Sequence, residues 1–96
     1  MNVSYKQCFK VAPDVMARRV GDEVFILSIQ RQCYFGLDEV GSRMFGMLSE
    51  GASAGETLRQ LEQEYSVEPE LLRRDFENLV SELAKHQLIE ALPNES

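Results

Sequence analysis

The hydrophobic positions change their period part-way along the chain. In its first third, apolar residues form short β-type runs; from about residue 38 they recur every third or fourth position. The run EVFILSI (23–29) places Val24, Phe25, Ile26, Leu27 and Ile29 close together and predicts the strongest strand. MARRV (16–20) before it is β-compatible, and Gly21 and Asp22 between them are turn residues, so the two segments pair as a hairpin. QRQ (30–32) is a polar connection into CYFGL (33–37). This third strand carries Cys33, Phe35 and Leu37 on one side and Tyr34 on the other. A further short strand is expected around CFKVA (8–12), with Pro13 ending it.

Asp38 is a helix N-cap, and Val40, Met44, Phe45 and Leu48 follow at helical spacing until Gly51 stops the run. Ser53 with Glu56 forms a capping-box pattern ahead of a second, short helix whose stripe is Leu58, Leu61 and Tyr65. Pro69 opens a third and longest helix. Leu72, Phe76, Leu79 and Leu83 predict its core face, and the helix is expected to run to about Gln87. LIEAL (88–92) adds a short extended piece. The expectation is an α+β fold: a three-stranded antiparallel sheet in the N-terminal half packed on a three-helix bundle, like a winged helix-turn-helix. One domain of 1–96 is expected, with a core over about 16–90, an N-terminal segment 1–15 and a frayed tail 91–96.

Composition removes several functions. Sixteen acidic against ten basic residues give a formal charge of -6, which repels phosphate backbones and anionic lipid surfaces. The order of helices allows a DNA-binding winged helix as an alternative function. The third helix argues against it: from Glu70 to His86, Arg73, Arg74 and Lys85 face Glu70, Asp75, Glu77 and Glu82. No apolar run fits a signal peptide or a membrane span, so a cytoplasmic protein without membrane partners is expected.

Catalytic signatures are missing as well: no GxSxG, HExxH, P-loop or GxGxxG occurs. Cys8 and Cys33 belong to no CxxC pair and read as two buried thiols rather than a disulfide or zinc ligands. His86, the single histidine, falls in the last turn of a helix, where the helix dipole favours it. No cofactor, no metal and no enzymatic activity are expected.

Over about residues 16–90 the chain resembles the PqqD family, small proteins named for a role in pyrroloquinoline quinone biosynthesis and related to the recognition elements of ribosomal-peptide pathways. The resemblance rests on the hydrophobic hairpin, the YFGLDEVGSRMFGML segment, the T-L-x-x-L-x-x-E-Y-x-V helix and the closing F-x-x-x-L-x-x-x-x-L-I. Asp38 stands where the family more often has Asn, and both can cap a helix.

The resemblance implies a non-catalytic module that binds the leader of a ribosomally made precursor peptide and presents it to a modifying enzyme, commonly a radical SAM protein. The leader would add a strand to the edge of the third strand and send side chains into a groove against the third helix. Gln32, Cys33, Tyr34, Phe35, Gly36 and Leu37 would then supply the hydrogen-bond ladder. Next to the expected core stripe, Arg73, Glu77, Val80 and Ala84 would form the groove wall. Arg73 and Arg74 would pair with acidic leader residues, and Val80 and Ala84 would receive an aliphatic anchor. Against this, Phe35 could be core, Arg73 and Arg74 could pair with Glu70 and Glu77, and Met44 and Met47 read as core filling. The same edge would also allow a homodimer.

Overall fold

The change of period marks where sheet gives way to helix in the computed structural model, which describes residues 4–93. The elements are β1 (Phe9–Val11), β2 (Val15–Val20), β3 (Glu23–Ser28), β4 (Cys33–Leu37), α1 (Glu39–Ser49), α2 (Ala54–Glu64), α3 (Pro69–Lys85) and β5 (Ile89–Ala91). Strands β2, β3 and β4 form an antiparallel sheet in that order, with Ile26 opposite both Ala17 and Phe35. Alternation along β3 is strict: Val24, Ile26 and Ser28 are buried, while Phe25 and Leu27 face outward. The expected α+β architecture is therefore present. The helix-turn-helix likeness is loose, since the whole three-stranded sheet precedes the three helices.

One hydroxyl joins the sheet to the helices. Val24 and Leu37 are register partners at the end of the β3–β4 ladder. Between them stands Ser42 Oγ, which accepts from the Val24 N–H at 2.8 Å and donates to the Leu37 carbonyl at 3.1 Å. Ser42 is buried, and its own N–H donates to the Asp38 carbonyl. The side chain of Asp38 accepts from Gly41 N at 2.7 Å, as its capping role predicts. The strand thus becomes a helix within one residue, with the buried polar groups at the junction paired.

The helices close over the inner face of the sheet. Ile26, Met44, Leu48, Leu61, Leu72, Phe76, Val80 and Leu83 form one continuous apolar cluster with residues of β1 and β5. Helix α2 begins with the expected capping box of Ser53 and Glu56. Its first N–H groups donate to carbonyls of the N-terminal segment, Ala54 to Gln7 and Gly55 to Tyr5. Gly55 permits this approach, because a Cβ there would lie 3.0 Å from the Tyr5 carbonyl oxygen.

Two short strands that the sequence suggests singly are partners. β1 pairs antiparallel with β5, placing Lys10 beside Glu90, with Nζ 3.3 Å from the carboxylate. This second sheet ties the chain that follows α3 back to the N-terminal segment. Residue 91 belongs to β5 and not to a frayed tail; residues 94–96 lie outside the described part. Cys8 and Cys33 are both free, and each is half-buried rather than buried.

Between α1 and α2, Arg43 donates to both oxygens of Glu64, at 3.0 and 2.8 Å. The guanidinium, helped by the Gln60 amide, holds the Glu64 carboxyl down at about 2. A carboxyl with a depressed folded value stabilises the fold above its unfolded value of 4.5, and that contribution is lost as pH falls toward about 2. Glu64→Gln should therefore lose stability less steeply than the wild type as pH falls from about 4.5 toward about 2, with the remaining dependence left to other carboxylates such as Glu56; matching curves for the two proteins would contradict this. For Ser42→Ala, urea denaturation should show a loss of about 1 to 3 kcal/mol, because the Val24 N–H and the Leu37 carbonyl lose their shared partner.

Candidate functional site

β4 is an edge of its sheet, with β3 on one side and, among the described residues, no strand on the other. The Val24 N–H points toward β4, and this sets the phase of the ladder. Ile26 with Phe35, and Ser28 with Cys33, turn their backbone groups toward each other, so Tyr34 and Gly36 turn theirs toward the open edge. Gly36 has a second role. The Phe25 ring lies across it on the outer face, and a Cβ at this position would stand 3.1 Å from that ring. Gln32 is outside the strand, in a left-handed conformation with φ +51° in the preceding turn.

Helix α3 passes alongside this edge and leaves a cleft. Its buried face is Leu72, Phe76, Val80 and Leu83. The flank toward β4 presents Asp75, Asn78 and Leu79, which with Gly36, Leu37, Asp38, Val40, Gly41 and Met44 line a cavity of about 410 Å³. Val40, Met44, Leu37 and Leu79 make it apolar within, and Asp38 and Asp75 bring the charge. Near the other end of β4, Phe35 packs on the His86 ring with centroids 4.7 Å apart and planes tilted by 54°. Glu82 on the same flank lies 3.5 Å from His86 Nε2.

This corrects the expected groove wall. Val80 is wholly buried (0% exposed) and cannot receive an anchor from outside, whereas Leu79, expected in the core, is half-buried beside the cleft. Arg73, Glu77 and Ala84 occupy the opposite flank, because residues four apart on a helix share a face. Arg73 lies over the Tyr5 ring, 4.8 Å from its centroid, donates to the Tyr5 hydroxyl and approaches Glu77 at 3.8 Å. Together with Leu58, Arg59 and Glu62 of α2, it lines a separate cavity. Arg74 faces outward beside Glu68, Glu70 and Leu71. Of the eleven residues named from the sequence, Cys33 to Leu37 form the edge strand, and the five helical ones lie away from the cleft.

The flank that does face β4 was present in the sequence as Asp75, Leu79, Glu82 and His86, spaced 4, 3 and 4 apart. Its charged members made it look like an ordinary solvated stripe. The cleft floor from α1, Val40 and Met44, read as core.

An edge strand and a helix bounding one cleft is the arrangement on which the resemblance turns, and the comparisons with known proteins bear on it directly. The family model described as coenzyme PQQ synthesis protein D (PqqD) matches residues 23–89. The chain belongs to the PqqD family. Two solved structures share the PqqD-family fold seen here. One is TbiB1 in complex with the TbiA(beta) leader peptide, 35% identical, with a TM-score of 0.80 over 88% of this chain and 99% of that one. The other is a lasso peptide synthetase B1 complexed with the leader peptide, 25% identical, with a TM-score of 0.76 over 88% of this chain and 98% of that one. No match is found among curated proteins.

The two flanks of α3 give this PqqD-family chain separable mutational signatures. Val80→Ala removes fully buried methyl groups and should cost about 1.5 to 3 kcal/mol in urea unfolding. Leu79→Ala should cost clearly less, since Leu79 keeps one side in the cleft; equal losses would place both residues in the core.

Proposed function

We propose that this chain is a non-catalytic carrier that binds the leader of a ribosomally made precursor peptide by strand addition to β4 and presents it to a peptide-modifying enzyme. The observation that carries the reading is the open edge of β4 lying directly beside the α3 cleft. A guest strand would bond to the N–H and C=O groups of Tyr34 and Gly36, gaining a ladder that depends little on its sequence. Its alternate side chains would enter the cleft, where selectivity resides. Both solved relatives are described as leader-peptide complexes, which supports the same role here.

The edge itself is suited to a guest. Between Cys33 and Leu37 no residue is charged, whereas the other edge strand, β2, carries Arg18 and Arg19, charges of the kind that discourage pairing. The enzyme served is a radical SAM protein or another peptide-modifying enzyme. The family name does not tie the product to pyrroloquinoline quinone, since one solved relative belongs to lasso peptide synthesis. No described helix is long and apolar enough to cross a membrane. The proposed carrier is a single domain that acts in the cytoplasm beside the enzyme it serves. The acidic residues along the β4-facing flank of α3 disfavour the DNA-binding alternative.

The test is an NMR titration with the leader encoded beside this gene. Amide shifts should concentrate on residues 33–38 and on Asp75, Asn78 and Leu79, with Arg73, Arg74 and Glu77 little affected. Tyr34→Pro removes one outward N–H at a place where an edge strand tolerates proline, so it should fold and bind the leader at least about five-fold more weakly. Shifts centred on Arg73 and the α2 cavity, or undiminished binding by Tyr34→Pro, would refute strand addition at β4.

A further inference from the structure

The cleft beside β4 is apolar inside and acidic at its rim, and that pairing of properties selects a type of guest. We propose that it accepts a long cationic side chain, lysine or arginine, from the leader; this rests on the strand-addition reading above. The stem would lie on Val40, Met44 and Leu79, and the charged head would reach Asp38 and Asp75.

Charge at the cleft is one-sided. Asp38 and Asp75 line it, and no lysine or arginine does. The two acids are not equivalent. One oxygen of Asp38 already accepts from Gly41 N, where the carboxylate offsets the partial positive charge of the α1 N-terminus. Asp75 has no hydrogen bond or ion pair among the described residues, and no lysine or arginine stands three or four positions from it on α3. Arg73, two positions away, is held on the opposite flank by Tyr5 and Glu77. Asp75 is therefore the uncompensated charge, and a cation placed there meets a carboxylate that no protein group neutralises.

The geometry of an added strand agrees with one such side chain. Residues two apart on a strand are separated by roughly 7 Å, so consecutive cleft-facing positions of the guest reach different parts of the groove. The part beside Gly36 and Asp38 offers carboxylates; the part beside Phe35 offers an aromatic ring and His86. A net charge of -6 on the whole chain would also draw a basic segment toward the molecule at low ionic strength. The expected guest is thus a leader with a lysine or arginine at one fixed position, and not the acidic segment that Arg73 and Arg74 suggested.

A library of random extended peptides displayed on phage, selected against the wild-type protein and against Asp75→Asn and Asp75→Lys, provides the test. Binders to the wild type should share a lysine or arginine position, and replacing that residue by norleucine in a synthetic copy should weaken binding about five-fold. The preference should disappear against Asp75→Asn and turn to glutamate or aspartate against Asp75→Lys. Binders that shift the Tyr34 and Gly36 amides but carry no cationic preference, or keep it against Asp75→Asn, would overturn the proposal while leaving strand addition intact. Binders that leave those amides unshifted, or no binders at all, would overturn strand addition and this inference with it.

Discussion

The hydroxyl of Ser42 decides how the two halves of the molecule meet. An antiparallel ladder would continue through Val24 and Leu37, but the hydroxyl occupies the gap between their N–H and C=O groups. Of the groups that would pair across this last register position, the Val24 N–H and the Leu37 carbonyl meet through the hydroxyl instead, so both stay paired where the chain turns into α1 at Asp38. Without a bridging partner the buried N–H and carbonyl would each bear a desolvation cost, and pairing them directly would pull Leu37 toward β3. The position of the cleft follows, because its floor consists of residues just before and just after this junction: Leu37, Val40 and Met44.

Much of the architecture is written in local signals. Asp38, the Ser53 and Glu56 capping box and Pro69 start the three helices where they are expected, and alternation along EVFILSI sets the faces of β3. The pairing of β1 with β5 carries no such signal. Three residues are too few to show a period, and the partners lie some eighty residues apart in sequence, so only the closed fold brings Phe9 to Ala91.

The orientation of α3 was hidden for a different reason. Leu79 and Val80 lie on either side of the axis defined by Leu72, Phe76 and Leu83, and both complete a stripe with spacings of three and four. Periodicity cannot separate them, since each is aliphatic and each is one helical step from the core. What separates them is the surroundings. Val80 is enclosed completely, while Leu79 borders the gap between α3 and β4. Choosing the wrong member of this pair rotates the inferred binding face to the other flank, exchanging Asp75 and His86 for Arg73 and Glu77. The sign of the charge expected on the guest is reversed with it.

The open edge gives a guest strand two faces to satisfy. Alternate side chains point into the cleft, and the others fall on the outer face beside Tyr34, which is 72% exposed. Beside Tyr34 that outer face is apolar, with Met16, Leu27 and Tyr34 in neighbouring register positions and the Phe25 ring over Gly36, while Arg18 stands on the far side of Phe25. Glycine is what allows this ring to lie close against the edge strand. A Cβ at this position would stand 3.1 Å from the ring, which would have to shift by a few tenths of an ångström. The missing side chain therefore serves the outer face, where it lets an aromatic ring brace the strand, while the phase of the ladder turns the N–H and C=O of residue 36 to the edge.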